Sequence, residues 1–396
     1  MSSGPSISDL DGVYANAIQA GIKEGGYDLS YIYVPDALAS AGVFTKNQCP
    51  ASSVIHTRKA LKRGVFKVIV VSSGNANAGT GEKGASDTQQ IVKSVAKKLG
   101  LKQSEVAVAA TGIIGKRLPL DKVQLGIEAL FKDAYQKHGE QVAEGILTTD
   151  TFTKTAYTSQ KVGKKTVQVA GIAKGSGMIA PNMATMLGFL VTDAKVSSAF
   201  LQRALTEAVG KTFNRISVDT DTSTSDMVLV LSTGKVAIAE NDPAQAQAFK
   251  STLTEATHQL AQQIIRDGEG AKTVIEATVK GAITHTGAEE IARHIIDSPL
   301  VKTAIHGQDP NWGRILMAIG KSQGTKINQK KLMINIQNNR VYQEGAPTDF
   351  DLEQLRQSLD TDTVSIEVDC QLGTGTATCW GCELTKGYID INTAYN

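Results

Sequence analysis

The stretch Lys174-Gly-Ser-Gly-Met-Ile-Ala-Pro-Asn-Met-Ala-Thr-Met-Leu187 decides between two α/β architectures. It follows a strand-like run, Val167-Gln-Val-Ala-Gly-Ile172. Gly175-Ser-Gly177-Met-Ile-Ala180 fits the G-x-G-x-x-A turn of a dinucleotide fold, with Asp193 about 18 residues further on. That turn must open a helix, yet Pro181 and Asn182 stand where the helix should begin, and Leu187-Gly-Phe-Leu-Val191 reads as another strand. The doubly wound reading fails. Gly175 to Thr192 also runs 18 residues without a charge, which approaches the length of a membrane span. Ser176, Pro181, Asn182 and the glycines make it buried soluble structure instead. Chemically, Ala184-Thr185 is a small residue followed by a hydroxyl nucleophile. Attack of Thr185 Oγ on the Ala184 carbonyl, an N→O acyl shift and hydrolysis would cut the chain. Thr185 would then carry a free α-amine, with a pKa of roughly 7.7–8.0, as a base for its own hydroxyl. A glycine-rich hairpin with Met178, Met183 and Met186 in the core is the plain structural alternative.

Upstream, Tyr31-Ile-Tyr-Val34 and Val65 to Val71 read as strands, and a glycine- and asparagine-rich loop covers Ser72 to Gly84. Ser86 or Asp87 caps a helix whose Ile91, Val92, Val95 and Leu99 keep helical spacing until Gly100. The strand Val106 to Ala110 then runs into Thr111-Gly112. Downstream, Ser197 or Ser198 caps a helix carrying Phe200, Leu201, Ala204, Leu205 and Val209. The helix after Asp242-Pro243 shows the stripe Phe249, Leu253, Ala256, Leu260, Ile264 and stops by Gly268. A strand at Val274 to Thr284, a helix at Gly287 to Ile296 and a helical stretch at Trp312 to Ile319 follow, and then strands to the end. Strands and helices without strict βα alternation predict stacked sheets with helices outside.

Forty-one lysines and arginines against 39 acidic residues leave a net charge of +2, which gives no basic face for nucleic acid. Aromatic content of 5% is too low for base-stacking platforms. Hydrophobic content of 41% with 20% charged residues is globular. Glycine, at 37 residues, exceeds the usual share and marks many sites of close backbone approach. MSSGPSISDLDG lacks the basic and apolar regions of a secretory signal, and four cysteines in 396 residues are no disulfide framework. The expected compartment is the reducing cytoplasm, with no membrane and no nucleic-acid partner.

Other motifs carry little. Asp219-Thr-Asp221-Thr-Ser223 resembles a phosphatase nucleophile loop or a calcium loop, but Thr224 replaces the required glycine and Val230 the closing glutamate. A polar turn explains it better. Cys379-Trp-Gly-Cys382 is a C-x-x-C with no second pair, so two core thiols outweigh a zinc or redox site. The histidines at 56, 138, 258, 285, 294 and 306 show no H-x-x-x-H or H-E-x-x-H spacing, and no G-x-S-x-G is present. No metal is expected.

The segment KGSGMIAPNMATML resembles the self-cleavage segment of the ornithine acetyltransferase (glutamate N-acetyltransferase) family, which cuts before the threonine of ATML. AGVFTKNQ at 41–48, SSGNANAGTGEKG at 72–84, AATGIIGKRLP at 109–119, TTDT at 148–151 and SVDTDTSTSD at 217–226 resemble further family blocks, in order. So do DGEGAKT at 267–273, SPLVKTAIHGQDPNWGRI at 298–315 and WGCELTKGYIDIN at 380–392. The resemblance covers essentially the whole chain.

It implies a four-layer α/β/β/α sandwich of mixed sheets, N-terminal-nucleophile-like, with a smaller C-terminal lobe. Residues 1–184 become an α chain and 185–396 a β chain, of which 185–280 completes the main sandwich and about 281–396 forms the lobe. Thr185 is then the nucleophile, with Thr111 and Gly112 as oxyanion hole. Thr148, Lys174, Glu269 and Asn392 hold the amino-acid substrate, Thr148 being preferred over Thr149 and Thr151. Implied is ping-pong transfer of acetyl from N2-acetyl-L-ornithine to L-glutamate in arginine biosynthesis. No cofactor is implied, and acetyl-CoA is a possible further donor. Two α and two β chains form the implied assembly. Family chains commonly run past the tyrosine near the end to a hydroxyl residue that contacts substrate. Here the chain ends at Asn396, so that contact is lost or falls to the terminal carboxamide. Cys382 occupies an ordinary family position, and Cys379 one where a small residue usually sits. The alternatives are an N-terminal-nucleophile aminopeptidase or amidohydrolase of similar fold, with water as acceptor, or a C-x-x-C metal or thiol module.

Overall fold

The structure is a computed structural model that describes residues 5–180 and 186–394. In chain order the strands are β1 (Tyr14–Ile18), β2 (Leu29–Tyr33), β3 (Ala39–Phe44), β4 (Val68–Asn75), β5 (Val106–Ile113), β6 (Lys154–Val162), β7 (Lys165–Lys174), β8 (Leu187–Lys195), β9 (Ile216–Ser217) and β10 (Met227–Ala237). The helices over the same span are α1 (Ser52–Arg63), α2 (Gly81–Leu99), α3 (Leu120–Leu130), α4 (Gly139–Gly145), α5 (Ser198–Lys211) and α6 (Pro243–Arg266). Two compact units divide the chain: Met1–Asn214 with Asp221–Ile264, and Arg215–Thr220 with Ile265–Asn396.

The first unit stacks two mixed sheets, ordered β1-β2-β4-β5 and β3-β10-β8-β7-β6. Alternation explains the stacking. Ile69, Val71, Ala107 and Ala109 of the first sheet share one apolar core with Ile172, Leu187, Phe189, Val191 and Leu229 of the second. Their neighbours Val68, Val70, Val106 and Val108 face the opposite way, onto Ile91, Val92 and Val95 of α2 and Val123 and Ile127 of α3. A strand buried on both faces reads as a continuous apolar run, as Val68-Ile-Val-Val71 does. The outer face of the second sheet carries α5 and α6. Gln202 of α5 bonds the backbone of Gly42, and Thr158 Oγ1 donates to the Thr252 carbonyl of α6 at 3.1 Å. This is the four-layer α/β/β/α sandwich.

Capping chemistry places the outer helices. Ser197 Oγ accepts the Phe200 N–H at 3.2 Å to start α5. Asp242 accepts the Ala244 and Gln245 N–H groups ahead of Pro243. Two expectations upstream need correction. Neither Ser86 nor Asp87 is a cap, because α2 already begins at Gly81 and Asp87 lies buried inside it, 3.4 Å from Arg117. The glycine-rich loop is likewise shorter than expected, since Ser72 to Asn75 belong to β4 and pair in parallel with Ala110 to Ile113. Polar residues end a solvated strand, but this one continues because its partner strand does.

The second unit forms its own sheet, with β11 (Val274–Ala282), β12 (Met333–Ile336), β13 (Asn339–Gln343), β14 (Ala346–Pro347), β15 (Thr363–Asp369) and β16 (Gly375–Cys382) in the order β14-β13-β12-β15-β11-β16-β9. Helices α7 (His285–Ile296), α8 (Pro299–His306), α9 (Trp312–Gly320) and α10 (Leu352–Ser358) add Ile291, Ile295, Val301, Ile315, Ile319 and Leu355 to its core. The smaller lobe was placed from about 281, but β11 already pairs with β15 and β16, so residues from 265 belong to this unit. The expected final strand is a helix, α11 (Lys386–Ala394). Asn392 Nδ2 and Thr393 Oγ1 bond the Tyr388 and Ile389 carbonyls one turn back. Among the described residues, no helix is long and apolar enough to cross a membrane.

Candidate active site

The antiparallel neighbours β7 and β8 end and begin at paired positions, Lys174 opposite Leu187. Residues 175–186 connect them. Both described ends of that connection are tied to the sheet region by polar bonds. Ile179 bridges Thr222, whose Oγ1 donates to the Ala180 carbonyl at 3.0 Å, and the Met227 N–H donates to the Met186 carbonyl at 3.1 Å. Met186 is buried. Ala184 and Thr185 lie outside the described residues; Thr185 is one peptide bond from Met186. No helix starts within Gly175–Ala180, which removes the dinucleotide reading on structural grounds.

At this end of β7 the structure gathers charge out of water. Lys174 Nζ donates to Thr148 Oγ1 at 2.8 Å, and its side chain is only 10% exposed. The same ammonium stands 3.7 Å from Asp150 Oδ2, and Lys154 Nζ lies 2.7 Å from Oδ1. The side chains of Asp150 and Lys154 are fully buried. Asp150 also accepts the Thr148 N–H at 3.0 Å and the Gly175 N–H at 2.6 Å. Burial alone would raise this carboxyl's pKa, but the Lys174 and Lys154 ammoniums outweigh it and hold Asp150 well below the usual carboxylate range. Lys23 joins from the first sheet's side, donating to the Leu147 carbonyl at 2.9 Å. Burial lowers its pKa, against the pull of Asp28 and Asp150. Asp28 is in turn held by the Ala20, Ile22 and Lys23 N–H groups.

Thr111 and Gly112 sit at the far end of β5, opposite Ser73 and Gly74. Gly112 has φ +128°, and a Cβ there would run into the Gly74 and Asn75 backbone. A Cβ on Gly74, at φ +96°, would meet Lys23 Cβ at 2.6 Å. Only glycines let β4 and β5 close this tightly on the lysine. Thr111-Gly112 and the Lys174 cluster are thus joined through Gly74 and Lys23.

In the second unit, buried Glu269 accepts the Asn392 side-chain amide at 2.7 Å. Thr148 with Lys174 and Glu269 with Asn392 are therefore two pairs that the fold assembles from separate sequence blocks. Sequence reasoning missed Asp150, Lys154 and Lys23. Asp150 stood inside the quoted TTDT block and could have been found. The two lysines gave no signal, because a lysine is almost always a surface residue until packing buries it. Also unforeseen is a cleft of about 680 Å³ in the second unit, lined by Gly270, Lys272, His306, Asp360, Glu383 and Lys386. Within it His306 Nδ1 lies 2.7 Å from Glu383 Oε2, and Glu383 Oε1 accepts the Lys272 and Thr273 N–H groups.

Cys379 and Cys382 lie three residues apart on β16, which turns their side chains to opposite faces of the strand. Both are buried, and burial pushes the Cys379 thiol up to about 12 and raises Cys382 as well. Neither a shared metal nor a redox pair suits that arrangement. The Asp219–Ser223 stretch starts in a bend, with Thr220 at φ +68°, and carries the isolated bridge at Thr222; Tyr388 donates to Asp219 at 3.4 Å. Among the described residues, no three His, Cys, Asp or Glu side chains converge to hold a metal.

Comparison with known proteins agrees with the resemblance of the blocks. The model of the ArgJ family matches residues 14–396. The chain belongs to the ArgJ family. The arginine biosynthesis bifunctional protein ArgJ of Oceanobacillus iheyensis is 43% identical, over 98% of this chain and 96% of that protein. Its namesake from Lactococcus lactis is 42% identical over 98% of both. Among solved structures, ArgJ of Bacillus halodurans is 44% identical with a TM-score of 0.51. The match covers 53% of this chain and the whole of that one. An ornithine acetyltransferase of Mycobacterium tuberculosis, solved with ornithine, is 35% identical over 45% of this chain and 96% of its own, with a TM-score of 0.41.

Proposed function

We propose that the protein is a self-cleaving glutamate N-acetyltransferase of arginine biosynthesis, with Thr185 as its nucleophile. The observation that carries the reading is the buried Lys174–Thr148–Asp150 cluster at the end of β7, opposite the strand that begins two residues after Thr185. Lys154 lies 2.7 Å from Asp150 and Lys174 stands farther off at 3.7 Å, which leaves the Lys174 ammonium able to meet an anionic substrate group. The length of the B. halodurans chain supports the cut. A protein of this family was solved as a chain that 53% of this one spans, and a cut after Ala184 leaves 212 of 396 residues downstream.

Maturation begins with Thr185 Oγ attacking the Ala184 carbonyl. The acyl group moves from N to O, water hydrolyses the ester, and the Thr185 α-amine is freed. That amine takes the hydroxyl proton as Oγ attacks the acetyl carbonyl of N2-acetylornithine. The Thr111 hydroxyl and the Gly112 N–H are the oxyanion donors of this reading. Collapse breaks the amide C–N bond, and the departing ornithine amine receives the proton. Acetyl-Thr185 is then attacked by the glutamate amine, which releases N-acetylglutamate and restores the hydroxyl. Lys174, oriented by Thr148, pairs the α-carboxylate in both half-reactions. Glu269, held by Asn392, takes the ornithine side-chain ammonium. No step needs a cofactor. The relatives' name, bifunctional, supports acetyl-CoA as a second acetyl donor. The reading makes this a cytoplasmic enzyme of two α and two β chains.

A denaturing gel with intact masses tests it. Two fragments, 184 and 212 residues long, are expected, with one uncut and inactive chain for Thr185→Ala. An active wild-type protein that stays uncut refutes the mechanism. Ornithine release that needs glutamate separates transfer from hydrolysis, and acetylation of glutamate by acetyl-CoA tests the second donor.

A further inference from the structure

We infer that Asp150 is a positioning residue that couples cutting of the precursor to assembly of the substrate-carboxylate site, an inference resting on the Thr185 reading. Among the described residues its carboxylate contacts four groups, and all four are donors. Oδ1 takes the Gly175 N–H at 2.6 Å and the Lys154 ammonium at 2.7 Å. Oδ2 takes the Thr148 N–H at 3.0 Å and faces the Lys174 ammonium at 3.7 Å. Gly175 is the first residue after β7 and heads the connection that holds Thr185. Thr148 and Lys174 are the residues assigned to the substrate carboxylate, and their own bond of 2.8 Å depends on where Asp150 sets the Thr148 backbone. One carboxylate therefore fixes both the start of the cleavage segment and the anion site. Lys154, fully buried, supplies the countercharge to Oδ1 and donates to the Phe152 carbonyl.

Asparagine is the informative replacement. It keeps the shape of Asp150 but turns one oxygen into an NH2, which must then face donors on one side. Three variants separate positioning from simple charge neutralisation: Asp150→Asn, Lys154→Met, and the two combined. Replacing both members of a buried pair commonly restores folding that a single replacement loses. The readouts are the maturation time course of the precursor, the melting temperature, and KM and kcat of the matured fraction.

Lys154→Met is expected to melt lower and to bind substrates more weakly, since Asp150 is then left to Lys174 alone, yet to mature at the wild-type rate. Asp150→Asn and the double variant are expected to mature about ten-fold more slowly or worse. Their KM for glutamate and N-acetylornithine should rise by about ten-fold, while kcat changes much less. A double variant that melts, matures and binds like wild type overturns the inference. An equal slowing of maturation in Lys154→Met and Asp150→Asn also overturns it, since Asp150 would then be only one half of a buried pair. If the wild type itself is never cut, the Thr185 reading fails, and the KM comparison still judges the hold of Asp150 on Lys174.

Discussion

Lys154 and Lys174 are cations that water barely reaches, with Lys23 half-buried beside them, and their arrangement follows from the cost of burying a charge. Each is matched to a carboxylate or a carbonyl, and Lys174, 10% exposed, donates to the Thr148 hydroxyl as well. The blocks name Thr148, Lys174, Glu269 and Asn392 as candidates, and the structure adds that Thr148 bonds Lys174 and that Asn392 bonds Glu269. Nothing in the sequence sets Asp150 or Lys23 beside them, because a sequence states residue types but not which charge faces which. The thiols make the same point in reverse. Cys379 and Cys382 look like a ligand pair in the sequence, whereas burial raises both, and Cys370 is pushed up to about 11. A thiolate is the reactive form, so raising the pKa suppresses it at neutral pH. Native protein at pH 8 should therefore react with a disulfide reagent at Cys49 alone, the exposed member, and at all four cysteines after denaturation. Fast reaction of three or four thiols in the native state would contradict this burial.

Among the elements, α6 was the most legible, since its stripe Phe249, Leu253, Ala256, Leu260, Ile264 is the buried face observed. Leu260 packs over Gly171 of β7, where a Cβ would meet its Cδ1 at 3.1 Å. Leu260→Ala opens a cavity between helix and sheet and is expected to cost about 2–5 kcal/mol. Urea denaturation checks the figure, and a loss below about 1 kcal/mol would mean the site collapses to fill the gap. Helix α11 was the least legible. Gly387, Asn392 and Thr393 have weak helical preference, and Tyr388 and Ile389 favour strands. Its context decides otherwise. A Cβ on Gly270 would meet the Tyr388 nitrogen at 2.5 Å, so the helix start is packed against that turn, and Asn392 is drawn to Glu269. Tertiary contacts of that kind override local propensity.

Across the whole molecule, the proposed cut falls between strands that remain hydrogen-bonded neighbours. On one side of it lies β7, and on the other β8, paired from Lys174–Leu187 to Val169–Thr192. The pairing of β3 with β10 also joins the two halves. The fragments should therefore co-elute from a sizing column under native conditions and separate only on denaturation. Separate native peaks would show that the shared sheet does not survive the cut. The sequence alone determined the apolar stripe of α6, the starts of α5 and α6, and that Thr185 follows a segment unable to form a Rossmann turn. Those features depend on side-chain period and backbone restriction within a few residues. Only the tertiary structure decided that Asp150 gathers Gly175, Thr148, Lys154 and Lys174, that residues 386–394 are helical, and that two cysteines three apart never meet. These outcomes depend on groups brought together by chain closure over long separations, where solvent is excluded and electrostatic pairing becomes strong enough to choose.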